Sequence, residues 1–175
     1  MTLPELAARL AERALLRGDF VLRSGRRSSV YLDKYRFETD PALLAPLAEA
    51  LGALADEHDP AAVRLAGPAL GAVPLVTALA LRRGTPFLIV RGAAKDYGTT
   101  RRIEGSYDAG ERVLLVEDVV TSGGAALEAV EALRGAGLVV ERALCVLDRD
   151  EGGAQALLDQ GVSLRALLRP ADIGM

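Results

Sequence analysis

The chain of 175 residues has few of the residue types on which several kinds of site depend. It contains one cysteine, Cys145, one histidine, His58, and no tryptophan. A single cysteine excludes an intrachain disulfide, and one cysteine with one histidine argues against Cys- or His-based metal sites and Ser-His-Asp catalysis. No apolar run approaches the length of a membrane span, and the first residues lack the pattern of a signal peptide. We therefore expect a cytoplasmic protein that does not associate with membranes.

Charge and length narrow the function classes further. The formal net charge of −3 makes nucleic acid an unlikely partner, because general affinity for phosphate backbones requires an excess of basic residues. The length suits one domain with a substantial core. We see no linker or internal repeat, so residues 1–175 are predicted to form a single domain.

Apolar patterning predicts strands that alternate with helices. Residues 20–33 are typical of a hairpin around a Ser-Gly turn. Strands are predicted at 62–66, 86–90, 113–116, 138–147 and 162–167, and helices at 3–16, 41–57, 73–83, from 125 onward and at 155–158. This alternation predicts an α/β fold with a parallel sheet flanked by helices.

The most informative stretch is 113–125, VLLVEDVVTSGGA. An apolar strand leads into the adjacent carboxylates Glu117 and Asp118, and a hydroxyl- and glycine-rich turn follows before the next helix. Free N–H groups and the positive dipole end at such a helix N-terminus bind anions, which predicts a phosphate at residues 121–125. The two carboxylates would repel phosphate and should face hydroxyls, a metal or developing positive charge. A phosphorylated sugar fits both halves.

This stretch resembles the phosphoribosyl-pyrophosphate (PRPP) signature of the type I phosphoribosyltransferases. Three further segments and a loop, in the same order along the chain, resemble the orotate phosphoribosyltransferases within that family. They are the hairpin FVLRSGRRSSVYLD (20–33), the loop GPALGAVP (67–74), the basic interval RGAAKDYGTTRRIEG (91–105) and the turn LDRDEGG (147–153). The resemblance covers nearly the whole chain.

The resemblance implies transfer of a 5-phosphoribosyl group from PRPP to orotate, which gives orotidine 5′-monophosphate and pyrophosphate in pyrimidine synthesis. It implies catalytic roles for Lys95 and Asp118, the latter beside the charge that grows on the ribose ring. Orotate would contact Arg23, Tyr31, Leu32, Thr121 and Arg149. The implied PRPP site comprises Arg91, Lys95, Tyr97, Glu117, Asp118, Val119, Val120, Thr121, Ser122, Gly123, Gly124 and Ala125.

The resemblance also implies a cofactor, a lid and an assembly. Mg²⁺ is expected, held mainly by pyrophosphate, ribose and water rather than by protein ligands. The basic interval 91–105 is interpreted as a lid over the pyrophosphate, against the alternative of a solvated surface loop. A homodimer is expected, because the lid lysine of this family often serves the neighbouring subunit. Residues 1 to about 36 would form a hood over the base, and 37–175 the core.

Two positions depart from the pattern of the family. Gly92 stands where many members have a second basic residue, and Leu70-Gly71 stands where some have Tyr-Lys. Both departures reduce the positive charge available to the leaving pyrophosphate. Two alternatives remain: a phosphoribosyltransferase for another nucleobase, and a non-catalytic PRPP-binding regulator.

Overall fold

The computed structural model describes residues 1–21, 25, 27–92 and 102–175. Its helices are α1 (Leu3–Ala14), α2 (Tyr35–Glu38), α3 (Pro41–His58), α4 (Ala72–Arg83), α5 (Gly124–Gly135) and α6 (Gly153–Asp159), with a 3₁₀ turn at Pro170–Ile173. Its strands are β1 (Leu15–Val21), β2 (Arg27–Leu32), β3 (Arg64–Pro68), β4 (Phe87–Val90), β5 (Ile103–Glu104), β6 (Arg112–Val120), β7 (Val139–Asp148) and β8 (Ser163–Leu168).

Six strands form the central sheet in the order β5-β4-β3-β6-β7-β8. All neighbouring strands run parallel except the edge pair β4–β5, which is antiparallel. The predicted parallel sheet flanked by helices is therefore confirmed. Strands β6 and β7 lie inside the sheet, and their carboxyl ends meet at one edge, where Val120 pairs with Asp148.

Alternation along β6 divides the core between the two faces of the sheet. Leu114 and Val116 pack with α1, α3 and α4 in one apolar cluster, whereas Val113 and Leu115 pack with α5 and α6 in the other. Because both faces are covered, β6 has to be apolar at almost every position, as a buried parallel strand is. The buried charged residues Glu117 and Asp118 interrupt that pattern.

The N-terminal segment forms a helix and then the predicted hairpin. Helix α1 begins with a capping box, in which the Thr2 hydroxyl accepts from the Glu5 N–H and the Glu5 carboxylate accepts from the Thr2 N–H. The prediction that this helix runs to residue 16 and stops at Gly18 is wrong. Leu15 is already extended and pairs with Leu32 across the hairpin, so pairing with β2 ends the helix earlier.

Three further elements differ from the sequence-based prediction. Strand β6 continues through its carboxylates to Val120, because β7 pairs with it over that whole length. The one-turn helix α2 and the two-residue strand β5 were not predicted, since both are too short to show a periodicity. Strand β5 holds Ile103 and Glu104 against Val90 and Ile89 of β4.

Helix α1, Leu32 of the hairpin and Phe37 of α2 share one apolar cluster with the central helices. The N-terminal segment therefore packs on the core, while β1 and β2 form a sheet of their own. The division into hood and core near residue 36 stays a prediction. Within the described ranges, no helix combines the length and the apolar character needed to cross a membrane.

Candidate active site

The turn between β6 and α5 presents backbone N–H groups to the exterior. Helix α5 begins after Gly123, which adopts a left-handed conformation (φ 83°) and makes no side-chain cap. Thr121, Ser122, Gly124 and Ala125 around it are exposed. The first N–H groups of α5 are therefore free of side-chain caps and available to an anion, as the sequence predicts for a phosphate.

The turn between β7 and α6 packs against the turn between β6 and α5. Gly153, at the start of α6, donates its N–H to the Thr121 carbonyl oxygen at 2.9 Å. A Cβ atom at Gly153 would lie 2.5 Å from that oxygen and 2.9 Å from the Gly123 nitrogen. Only a glycine fits this close approach. The Gly-Gly pair of the turn after β7 thus shapes the predicted phosphate turn after β6.

Two buried carboxyl groups precede the phosphate turn. Glu117 is 6% exposed and Asp118 is 2% exposed. The Asp118 N–H donates to Glu117 Oε2 at 3.2 Å, and Asp118 Oδ2 accepts from Lys34 Nζ at 2.5 Å. Burial, followed by the neighbouring Asp118 carboxylate, raises the pKa of Glu117 to about 8. Such a pair of carboxyl groups at a strand end is suited to binding hydroxyl groups.

Val119 and Val120 differ from the exposed residues of the turn because their side chains are at least partly buried. Val119 is partly buried and packs against the core, and Val120 is 2% exposed. The Val119 N–H donates to Asp118 Oδ1, and the Val120 carbonyl accepts from the Arg149 N–H at 2.8 Å. Their side chains are therefore occupied in packing, and any contact of these two residues with PRPP is left to the backbone.

The loop after β3 and the end of β4 close the other side of the site. Pro68, Ala69, Arg91 and Ala125 line one small cleft, which brings the loop 67–74 and the β4 end to the N-terminus of α5. The Arg91 guanidinium is partly exposed, 3.8 Å from Glu104 Oε1. Arg91 thus lies at this cleft, and its contact with PRPP stays a prediction.

The residues predicted to bind the base lie on two elements. Arg149 follows β7, and its guanidinium pairs with Glu151 at 3.0 Å. Tyr31 on the hairpin is 44% exposed and its ring lies 5.5 Å from that of Phe20. The Leu32 side chain is 8% exposed and belongs to the core cluster that includes Phe37, and its contact with orotate stays a prediction. Arg23, Lys95 and Tyr97 lie outside the described residues.

Comparison with known proteins agrees with this geometry. The profile of the Phosphoribosyl transferase domain matches residues 36–156. The orotate phosphoribosyltransferase of Halobacterium salinarum is 47% identical over 168 residues, which cover 96% of this chain and 94% of that protein. This chain belongs to the orotate phosphoribosyltransferase family. The recognition made from the sequence motifs is therefore confirmed.

Solved structures of this family share the fold. Orotate phosphoribosyltransferase of Mycobacterium tuberculosis in complex with Fe(III) dicitrate is 35% identical, with a TM-score of 0.88 and 99% of each chain covered. The same enzyme in complex with PRPP is 32% identical, with a TM-score of 0.84 and 99% of each chain covered. The assignment to the type I phosphoribosyltransferase fold rests on these likenesses over essentially the full length.

Sequence reasoning missed two residues that contact or flank the carboxyl pair, Lys34 and Glu38. Lys34 bonds to Asp118, and Glu38 is 1% exposed with no hydrogen-bond partner for either carboxylate oxygen in the described structure. Burial, followed by Asp118, raises the pKa of Glu38 to about 9. Helix α2 is a single turn, so the sequence carries no periodic pattern that would have identified these two residues.

Proposed function

We propose that the protein transfers the 5-phosphoribosyl group of PRPP to orotate and releases orotidine 5′-monophosphate and pyrophosphate, a step of pyrimidine synthesis. The observation that carries this function is the buried pair Glu117–Asp118 directly before the uncapped N-terminus of α5. The pair suits ribose hydroxyls, and the helix N-terminus suits the 5′-phosphate. The family of the chain supplies the identity of the base.

In this reaction the bond from C1′ of ribose to the pyrophosphate oxygen breaks, and a bond from C1′ to N1 of orotate forms. Positive charge grows on the ribose ring as pyrophosphate takes the bonding electrons. Asp118 stabilises that charge from its position at the strand end, while the turn 121–125 holds the 5′-phosphate. The proton of N1 is released to solvent as the bond from C1′ to N1 forms.

The base is expected between the turn after β7 and the hairpin. Arg149 can form a forked pair with the orotate carboxylate or a ring carbonyl, in exchange for its bond to Glu151. Tyr31 offers an exposed ring face to the planar base. Arg23, Leu32 and Thr121 complete the proposed orotate contacts, and Arg91, Lys95 and Tyr97 those of PRPP on the lid side.

Mg²⁺ fits this site as an ion that arrives with the substrate. Among the described residues, no group of three or more potential ligands is arranged to hold a metal. Pyrophosphate, ribose hydroxyls and water are proposed to supply most of the ligands, in keeping with the preference of Mg²⁺ for oxygen and retained water. When bound, the ion neutralises charge on the leaving pyrophosphate. The homodimer that would share Lys95 between subunits, and the cytoplasmic setting, are part of this proposal.

The test is a base-specificity assay. The purified protein is incubated with PRPP, Mg²⁺ and orotate, and the loss of orotate absorbance is followed, with uracil, adenine and hypoxanthine in parallel. We expect turnover of orotate alone, lowered at least about a hundredfold by Asp118→Asn and by Lys95→Ala but kept in the surface control Asp159→Asn. Turnover of another base would contradict the orotate assignment. Binding of PRPP without turnover of any base would indicate a regulator.

A further inference from the structure

One turn of helix places a cation and an acid against the carboxyl end of β6. Lys34 precedes α2 and Glu38 ends it, so the two side chains share one helix face. Lys34 Nζ lies 2.5 Å from Asp118 Oδ2, and its side chain is about one-third exposed. Glu38 is fully buried. The contact between Lys34 and Asp118 joins residues 84 positions apart in the sequence.

Acidic groups outnumber cations around the carboxyl end of β6 in the described structure. Three carboxyl groups, those of Glu38, Glu117 and Asp118, influence one another there, and the cation that the described structure places against them is Lys34. Buried carboxylates are costly without partners. The two that lack a cation of their own have raised pKa values, whereas Asp118 has the Lys34 ammonium in direct contact. Among the three carboxyl groups, that of Asp118 is therefore the one that forms the salt bridge with Lys34.

Gly71 leaves the space that this pair occupies. A Cβ atom on Gly71 would overlap Asp118 Oδ2 and lie 2.5 Å from Lys34 Nζ. The backbone of the loop 67–74 therefore packs directly on the salt bridge. The Lys34 ammonium and the Asp118 carboxylate, which is predicted to bind ribose, thus both lie against this loop.

We propose that Lys34 is a positioning residue of the PRPP site, which holds the Asp118 carboxylate in place and ready to accept the ribose hydroxyls. The inference rests on the proposed function, since it takes the β6 carboxyl pair as the ribose site. It predicts that Lys34 matters for PRPP much more than for orotate. It also predicts a dependence on charge, because a neutral side chain of similar size cannot compensate the buried carboxylate.

The pH dependence of the affinity for PRPP distinguishes a role of Lys34 at the ribose site from a purely structural role, which would leave that dependence unchanged. Lys34 lowers the pKa of both Glu38 and Glu117, although burial and Asp118 outweigh it. An ionised carboxylate accepts hydroxyl hydrogen bonds more strongly than a neutral one. We therefore expect the affinity for PRPP to rise with pH as Glu117 ionises. Without Lys34, that rise moves to higher pH.

The experiment compares Lys34→Met, Lys34→Arg and a matched control, Arg36→Met, which removes an exposed cation from the same helical turn. KM for PRPP, KM for orotate and kcat are measured between pH 7 and 9.5, and binding of PRPP with Mg²⁺ is measured by calorimetry. For Lys34→Met we expect KM for PRPP to rise at least about tenfold at pH 7. KM for orotate should change less than about twofold, and Lys34→Arg should recover most of the loss.

Two results would overturn the inference: a Lys34→Met variant with the kinetics of Arg36→Met, or losses that are equal for both substrates and unchanged in their pH profile. Thermal unfolding identifies a variant that does not fold, and Lys34→Gln, which keeps a donor without charge, then replaces Lys34→Met. If the wild-type protein turns over no base, the proposed enzyme function fails. The calorimetric comparison of PRPP binding still decides the role of Lys34 in that case.

Discussion

The carboxyl ends of β6 and β7 lie side by side, and both carry buried acidic residues. The two ends differ in how the carboxyl groups of those residues are paired with cations. At the end of β7, Asp148 is 1% exposed and fully partnered: Arg169 Nη1 lies 2.5 Å from its Oδ2, and the Asp150 N–H donates to its Oδ1. At the end of β6, Glu117 and Asp118 are also buried. Lys34 is the one cation that the described structure places against these two carboxyl groups and that of Glu38.

The difference separates a supporting turn from a site that awaits a ligand. Asp148 at the end of β7 has its charge satisfied within the protein, so its role is to hold in place the backbone of the next turn, which carries Arg149. The end of β6 retains raised carboxyl pKa values and a helix N-terminus without a side-chain cap. Unsatisfied groups of this kind are costly for folding and concentrate where a ligand binds.

The largest effect is expected from Asp118→Asn. The substitution keeps the shape of the side chain but removes the charge that would stabilise the ribose ring in the transition state. We expect kcat/KM for PRPP to fall by about 10²–10³. The same change at the partnered position, Asp148→Asn, should lower thermal stability more and kcat/KM less. Equal losses of kcat/KM in the two variants would contradict the functional distinction between the strand ends.

Two arginines of the β7 end are expected to differ in the same way. Arg149→Met removes the proposed partner of the orotate carboxylate, so KM for orotate should rise roughly tenfold to a hundredfold with little change in melting temperature. Arg169→Met leaves Asp148 without its cation and should lower the free energy of unfolding by about 1–2 kcal/mol. Steady-state kinetics and denaturant unfolding of both variants measure the two effects. A stability loss in Arg149→Met would argue against its role in base binding.

Gly153→Ala tests whether the two strand ends depend on each other. The added methyl group would lie 2.5 Å from the Thr121 carbonyl oxygen and from Val120 Cγ1, so the turns have to move apart. Overpacking of this kind costs about 1–3 kcal/mol. We expect weaker PRPP binding by calorimetry together with a lower melting temperature. Gly135→Ala is the matched control, because Gly135, like Gly153, has no positive φ, and an added Cβ there meets no atom within 4 Å.

The last effect concerns the stability of the free protein as pH changes. Folding raises the pKa of Glu38 from 4.5 to about 9, so the folded state binds this proton more tightly than the unfolded state. The free energy of unfolding therefore falls as pH rises from about 4.5 to 9. Glu38→Gln should flatten this fall in melting temperatures measured at pH 5.5, 7 and 9. Glu12→Gln, at an exposed position, should follow the wild-type slope.

Much of the fold follows from the sequence because the signals are local and long. Strand β6 contains the apolar run 113–116 and β7 the apolar run 143–147. Helix α3 begins at Pro41 after the capping Asp40 and runs for 18 residues. The turn 121–125 was predicted because its glycines and hydroxyl residues are contiguous. The PRPP signature then linked this turn to the preceding carboxylates.

The rest depends on contacts between distant positions. No local pattern distinguishes Lys34 from Arg36 two residues later, yet one bonds to Asp118 across the fold and the other pairs with Asp33 in its own turn. Helix α2 is a single turn, too short for a periodic signal, and β5 exists only because β4 pairs with it. The placement of Leu32 in the core likewise depends on α1 and Phe37, which the hairpin motif does not reveal.

The short pair β4–β5 has a consequence for how this family can vary. The Arg91 N–H donates to the Arg102 carbonyl at 2.8 Å, and Val90 pairs with Ile103, so the chain leaves and re-enters the sheet at one point. Each doubling in length of a loop between such fixed ends costs about 0.6 kcal/mol in closure entropy. Relatives can therefore differ in the number of residues between positions 92 and 102 at little cost to the sheet that carries Glu117 and Asp118.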